Sequence, residues 1–197
     1  MLDRLAGNEA MKQHLQAALA GGKLAHSLLL CGEKGCGAGF AARCLAADYL
    51  YPQGGPAAEA VLAGQAPECL EVRGEGASGQ IRIERIRQVR EEVFHSALSA
   101  QGRVVLLYGA QNLNSASANA LLKVLEEPPE GVLFLLTASS PAAVLATIRS
   151  RCAAYDLSPL PPAQCAAWLK NQRPACREAE FLAAVYEGSP GRCLATV

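Results

Sequence analysis

Three short stretches of this chain, Ser27 to Cys31, Val104 to Tyr108 and Val132 to Thr137, are apolar almost without interruption. A strand with one wet face alternates apolar and polar residues; strands this uniform are buried on both faces, as in a parallel sheet covered by helices on either side. Shorter strands are expected at Cys69 to Val72 and Ala153 to Leu157. Helical periodicity fills the intervals. Met11, Leu15, Ala18 and Leu19 share a face within Asn8 to Leu19, and Ala41, Ala42, Ala46 and Ala47 favour a helix over Phe40 to Leu50. Ile83, Ile86, Val89 and Val93 line another helix, Ser115 to Glu127 runs until Pro128-Pro129 stops it, and Pro141 to Ser150 reads as a short helix. Alternation of this kind predicts a doubly wound α/β domain. Beyond Pro159, Pro161 and Pro162 the pattern changes to helices alone, at Ala163 to Asn171 and Arg177 to Tyr186. The expected division is an α/β domain over residues 1–158 and a small helical domain over 159–197. The Gly-, Pro- and Ala-rich segment Pro52 to Pro67 suits either an irregular loop or a short helix near Ala57 to Leu62, and no internal repeat is present.

With 197 residues, 51% of them hydrophobic, the chain can bury one good core and a small appendage. Its 18 basic residues, 13 Arg and 5 Lys, balance 18 acidic ones to a net charge of zero, so no global field draws it to nucleic acid or anionic membrane. No run is long enough to span a bilayer and no signal-like N-terminus is present, which leads us to expect a cytoplasmic protein. Eight cysteines could suggest a disulfide scaffold or a metal site. Cys31, Cys36, Cys44, Cys152, Cys165 and Cys193 sit among apolar or motif residues, however, and read as reduced, mostly buried thiols. A thiol or metal protein is the outlying alternative, distinguished by zinc content and thiol titration.

The loop Gly32-Glu33-Lys34-Gly35-Cys36-Gly37-Ala38-Gly39 lies between a strand and a helix, where backbone amides and the helix N-terminus attract anions. A productive phosphate-binding loop reads G-x-x-x-x-G-K-[ST]: its Lys reaches the β/γ-phosphates and its hydroxyl holds Mg²⁺. Here Ala38 stands for the Lys and Gly39 for the hydroxyl. A working ATPase also needs acidic residues at the end of the next-but-one strand, yet this chain continues Leu106-Leu107-Tyr108-Gly109-Ala110-Gln111. Alone, the glycines could be only a turn; with two requirements missing together, hydrolysis is not expected.

Asn114-Ser115-Ala116-Ser117-Ala118-Asn119-Ala120-Leu121-Leu122-Lys123-Val124-Leu125-Glu126-Glu127-Pro128-Pro129, then Phe134-Leu135-Leu136-Thr137 and Thr147-Ile148-Arg149-Ser150-Arg151-Cys152, closely resemble the bacterial DNA polymerase III clamp-loader family of delta-prime, gamma and tau subunits, within the AAA+ superfamily. His26 in Leu24-Ala25-His26-Ser27, the Ile81 to Val93 helix and Gly188-Ser189-Pro190-Gly191 extend the resemblance over nearly the whole chain. It implies an AAA+ fold of P-loop type with residues 159–197 as its lid, and a third, C-terminal collar domain beyond the point where this chain stops. With its degenerate loop, the delta-prime branch is the expected one: an ATP-independent stator without ATPase activity that supports loading of the sliding clamp. A gamma/tau-type ATPase with an atypical loop is the alternative.

The resemblance also assigns residues. Arg151 of Ser-Arg-Cys corresponds to an arginine finger that reaches ATP bound by a neighbouring subunit, a task suited to an always-charged, forked guanidinium. A cap on the sheet edge or an ordinary ion pair is its bland alternative. Thr137 corresponds to a sensor of the γ-phosphate, vestigial beside a dead loop, and the lid's sensor Arg falls at Gly191, beside Arg192. Relatives carry four zinc-binding cysteines after the first loop helix, whereas Asp48 to Val72 holds Cys69 alone and Cys44 comes too early, so no zinc is expected. Implied partners are the gamma/tau and delta subunits, with the sliding clamp and primer-template DNA met through the assembled complex and no membrane. Arg82, Arg85, Arg87 and Arg90 could track DNA, but Glu84, Glu91 and Glu92 interleave with them as on an ordinary solvated face. His26 and His95 are expected to be structural.

Overall fold

Burial on both faces is what the three apolar stretches show in the computed structural model, which describes residues 1–76, 78–94 and 102–197. Strands β1 (Ser27–Cys31), β2 (Cys69–Val72), β3 (Arg103–Tyr108), β4 (Val132–Ala138) and β5 (Ala153–Asp156) form one sheet in the order β2-β3-β4-β1-β5. Every pairing is parallel. Because successive side chains point to opposite faces, Leu28, Leu30, Val104, Leu106, Leu133 and Leu135 enter one core. Leu29, Val105, Leu107, Phe134 and Leu136 enter the other.

Helices α1 (Glu9–Ala20), α2 (Ala38–Leu50) and α3 (Pro56–Leu62) cover the first face. The second is covered by α4 (Ile83–Val93), α5 (Ser115–Glu126) and α6 (Ala146–Arg149). The α/β reading is thus confirmed, with β4 central and β1 flanked by β4 and β5. Residues 52–67 contain the helix α3, with Pro56 in its first turn, Ala58 and Val61 buried, and Gly55 before it at φ 91°. Pro141 to Ser150 is not one helix. A 3-10 turn, Pro141–Ala143, gives way to extended Val144, which buries its branched side chain in the second core before α6 begins. Asn114 caps α5 by accepting the Ser117 amide at 2.8 Å. His26 contacts the Leu125 carbonyl at 3.2 Å through a ring nitrogen, whereas His95 lies outside the described residues.

After β5 the chain forms α7 (Pro162–Gln172), α8 (Ala179–Val185) and a further helix, α9 (Pro190–Thr196). Their core is separate: Leu160, Cys165, Leu169, Leu182, Ala183 and Cys193. Within this unit the Leu160 amide donates to the Gly188 carbonyl at 2.8 Å, and just before it the Ser158 amide donates to Asn8 Oδ1 at 2.9 Å. All eight cysteines are free thiols, five of them buried. Burial pushes the Cys44, Cys152 and Cys165 thiols up to about 12, which leaves negligible thiolate near neutrality.

Candidate functional site

The register of the sheet brings the carboxyl ends of three strands level: Leu30 pairs with Thr137, and Tyr108 also pairs with Thr137. Ligands of open α/β sheets bind at such an edge. The Gly32–Gly39 loop leaves β1 there and turns directly into α2, with Gly35 at φ 95° and Gly37 at φ 96°. The backbone therefore has the form of an anion-binding loop. Its contacts point elsewhere.

The first such contact comes from the C-terminal helices. The Gly191 amide, in the first turn of α9, donates to the Gly35 carbonyl at 2.8 Å, and Ser189 Oγ donates to the Lys34 carbonyl at 3.3 Å. A Cβ on Gly35 would lie 2.3 Å from Ser189 Oγ and 2.9 Å from the Arg192 nitrogen; one on Gly191 would lie 2.9 Å from the Gly35 oxygen. Two backbones meet where only glycines fit. Gly191 packs against the loop backbone, and the Arg192 guanidinium lies over the Tyr186 ring, 4.8 Å from its centroid.

The second contact fills the acid-free strand end. The half-buried Tyr108 sets its ring against the start of α2, so that a Cβ on Gly39 would stand 3.2 Å from Tyr108 Cε1. Its hydroxyl is 3.0 Å from Arg43 Nε and 3.2 Å from Glu71 Oε1. Glu71 Oε1 accepts from Arg43 Nη2 at 2.9 Å, and Arg73 lies over the Tyr108 ring, 3.7 Å from its centroid. Two guanidinium groups, one carboxylate and an aromatic ring thus form a self-satisfied cluster between α2, β2 and β3. Burial pushes the Tyr108 phenol above its ordinary value. Arg43, Glu71 and Arg73 carry no local motif; only the anomaly of Tyr108 in an acid's place pointed here.

A cleft of about 420 Å³ runs along the loop, lined by Lys34, Tyr108, Gln111, Thr137 and Gly191 among others. The residues present do not fit a Mg-nucleotide. Ala38 is packed against the first core, Gly39 offers no hydroxyl, and the carboxylate lining the cleft belongs to Glu33 of the loop itself, where it repels phosphate. Thr137 is only 8% exposed; its Oγ1 accepts the Gly109 amide at 3.2 Å. Among the described residues no group of three or more His, Cys, Asp or Glu could hold a metal ion.

Arg151 lies away from the loop, after α6, with its side chain 35% exposed. Nη1 donates to the Thr147 carbonyl at 3.0 Å, and Nη2 is ion-paired with Glu126, the last residue of α5. Just before α4, Arg82 pairs with Glu75 at 3.6 Å, and on the helix Arg85 pairs with Glu92 at 3.5 Å. No helix among the described residues is long and apolar enough to cross a membrane.

This architecture is that of the AAA+ class. It is similar to the Thermotoga maritima RuvB Holliday junction branch migration motor, with TM-score 0.67 and 16% identity over 98% of this chain and 61% of that one. A DNA polymerase III gamma subunit-related protein of Thermotoga maritima gives 0.56 at 19% identity, over 86% of this chain and 56% of that chain. In sequence, residues 7–161 match the family described as DNA polymerase III, delta subunit. The chain is 35% identical to the DNA polymerase III subunit delta' of Pseudomonas aeruginosa (84% of this chain, 54% of the relative). It is 36% identical to that of Escherichia coli K12 (68% and 40%). It is 34% identical to the gamma/tau subunit of Mycobacterium tuberculosis H37Rv (80% and 28%). The chain belongs to the DNA polymerase III delta-prime/gamma-tau clamp-loader family. It spans 28% to 54% of the length of these curated relatives.

Proposed function

We propose that the chain acts as a delta-prime-type, ATP-independent stator of a cytoplasmic DNA polymerase III clamp loader, with residues 1–158 as the AAA+ domain and 159–197 as its lid. Its partners are gamma/tau and delta subunits, and it meets the sliding clamp and primer-template DNA through the assembled complex. Arg151 is the contribution it makes in trans, to ATP bound by a neighbour. The observation that carries this reading is the pairing of a self-filled loop, with Gly35 against Gly191 and Gly39 against Tyr108, with a partly exposed arginine in the Ser-Arg-Cys segment. A guanidinium there supplies charge to a developing phosphoryl transition state without any cis chemistry.

The gamma/tau reading keeps one observation in its favour, the 34% identity over 80% of the chain to a gamma/tau subunit. Phosphate release by the purified chain separates the two. Under the stator reading, wild type gives none above blank with Mg-ATP. Ala38→Lys combined with Gly39→Thr also gives none: the new threonine meets the Tyr108 ring and β3 still supplies no carboxylate. Turnover by wild type refutes the stator reading, and turnover by the double variant refutes the role given to Tyr108.

A further inference from the structure

Arg151 is not a free cation waiting at a surface. Its two terminal nitrogens are both engaged by the chain itself, Nη1 by the Thr147 carbonyl and the Ser150 hydroxyl at 3.3 Å, Nη2 by the Glu126 carboxylate. A guanidinium grips a phosphate through paired N–H groups, so a finger held this way is withdrawn. The carbonyl is neutral and can keep one hydrogen of a nitrogen that has two. The carboxylate competes for the charge.

Building on the trans role of Arg151 proposed above, we propose that Glu126 is a positioning residue: it parks Arg151 in cis and releases it only to a more highly charged anion, the terminal phosphate of the nucleotide on the adjoining subunit. The side chains of the pair are 35% and 49% exposed, and solvent weakens an ion pair in such a setting. That weakness makes the exchange possible. A single carboxylate holds the arginine against monovalent anions, whereas a phosphate bearing up to two charges displaces it. Glu126 ends α5 immediately before Glu127-Pro128-Pro129, so the carboxylate is fixed to a helix of the core and not to a loose loop. Arg151 lies two residues beyond the end of α6, so the exchange of partner falls to its side chain and not to the helix.

The test uses the assembled complex and compares wild type, Glu126→Gln, Arg151→Ala and the double variant, with hydrolysis measured at saturating ATP. Glutamine keeps the size of the side chain and removes its charge, so thermal unfolding of the chain serves only to check that each variant is folded. Freeing the finger is expected to raise hydrolysis by up to about fivefold, the most that an exposed ion pair withholds. The double variant is expected to match Arg151→Ala, since Glu126 acts only through that arginine. Unchanged or reduced hydrolysis in Glu126→Gln, or a gain that persists without Arg151, overturns the proposal while leaving the trans role intact. If Arg151→Ala itself has no effect, the trans role fails and this inference fails with it.

Discussion

Replacing Arg151 with alanine is expected to slow ATP hydrolysis at the adjoining subunit by about 10³-fold, the lower end of what an arginine finger contributes. The effect arises in the transition state, where charge spreads over the phosphoryl oxygens and a fixed cation is worth more than in the ground state. Nucleotide affinity should therefore change much less than turnover. Folding should hardly notice, because the pair with Glu126 is exposed and such pairs contribute at most about 1 kcal/mol. Lysine should rescue only partly, since an ammonium lacks the planar fork. Single-turnover phosphate release by the complex, alongside thermal unfolding of the isolated chain, checks both halves. Equal rates from a folded Arg151→Ala variant would reduce Arg151 to an ordinary edge ion pair.

The second large effect is on stability. Gly35→Ala places a Cβ 2.3 Å from Ser189 Oγ, 2.7 Å from Arg192 Cγ and 2.9 Å from the Arg192 nitrogen, at a residue whose φ is 95°. Positive φ costs an alanine about 1–2 kcal/mol and overpacking a further 1–3 kcal/mol. We expect a loss of about 2–5 kcal/mol in denaturant unfolding, or release of the C-terminal helices from the loop. Hydrogen exchange at the Gly191 amide, which donates to Gly35, distinguishes these outcomes: it should be slow in wild type and fast wherever the contact has opened. A variant within about 0.5 kcal/mol of wild type, with the Gly191 amide still protected, would mean that the helices are not seated on the loop.

Much of this architecture is written in local pattern. β1, β3 and β4 are readable because both faces are buried, so alternation disappears. The Gly32–Gly39 loop is readable because phosphate-loop geometry needs specific residues at fixed spacing, and the departures at Ala38, Gly39 and Tyr108 are visible in the same frame. Other features depend on contacts remote in sequence. Gly191 looks like a lost sensor until the Gly35 carbonyl is found against its amide. The Arg43, Glu71 and Arg73 cluster draws on α2 and β2 around a tyrosine from β3. Glu126 belongs to a recognisable segment, yet its partner Arg151 is supplied only by the packing of α5 against α6. The helix α9, which the periodicity after Tyr186 does not announce, begins at Pro190, where a proline fits the first helical turn.

The central claim is that the nucleotide site has been replaced by contacts of the chain with itself. Calorimetric titration of the purified protein with Mg-ATP to millimolar concentration tests it most directly. We predict only heats of dilution, because the Gly191 amide already engages the Gly35 carbonyl and the Tyr108 ring already covers Gly39. A saturable heat with one-site stoichiometry would contradict this, showing that the loop amides suffice for the phosphates and that the contact between the C-terminal helices and the loop opens to admit them.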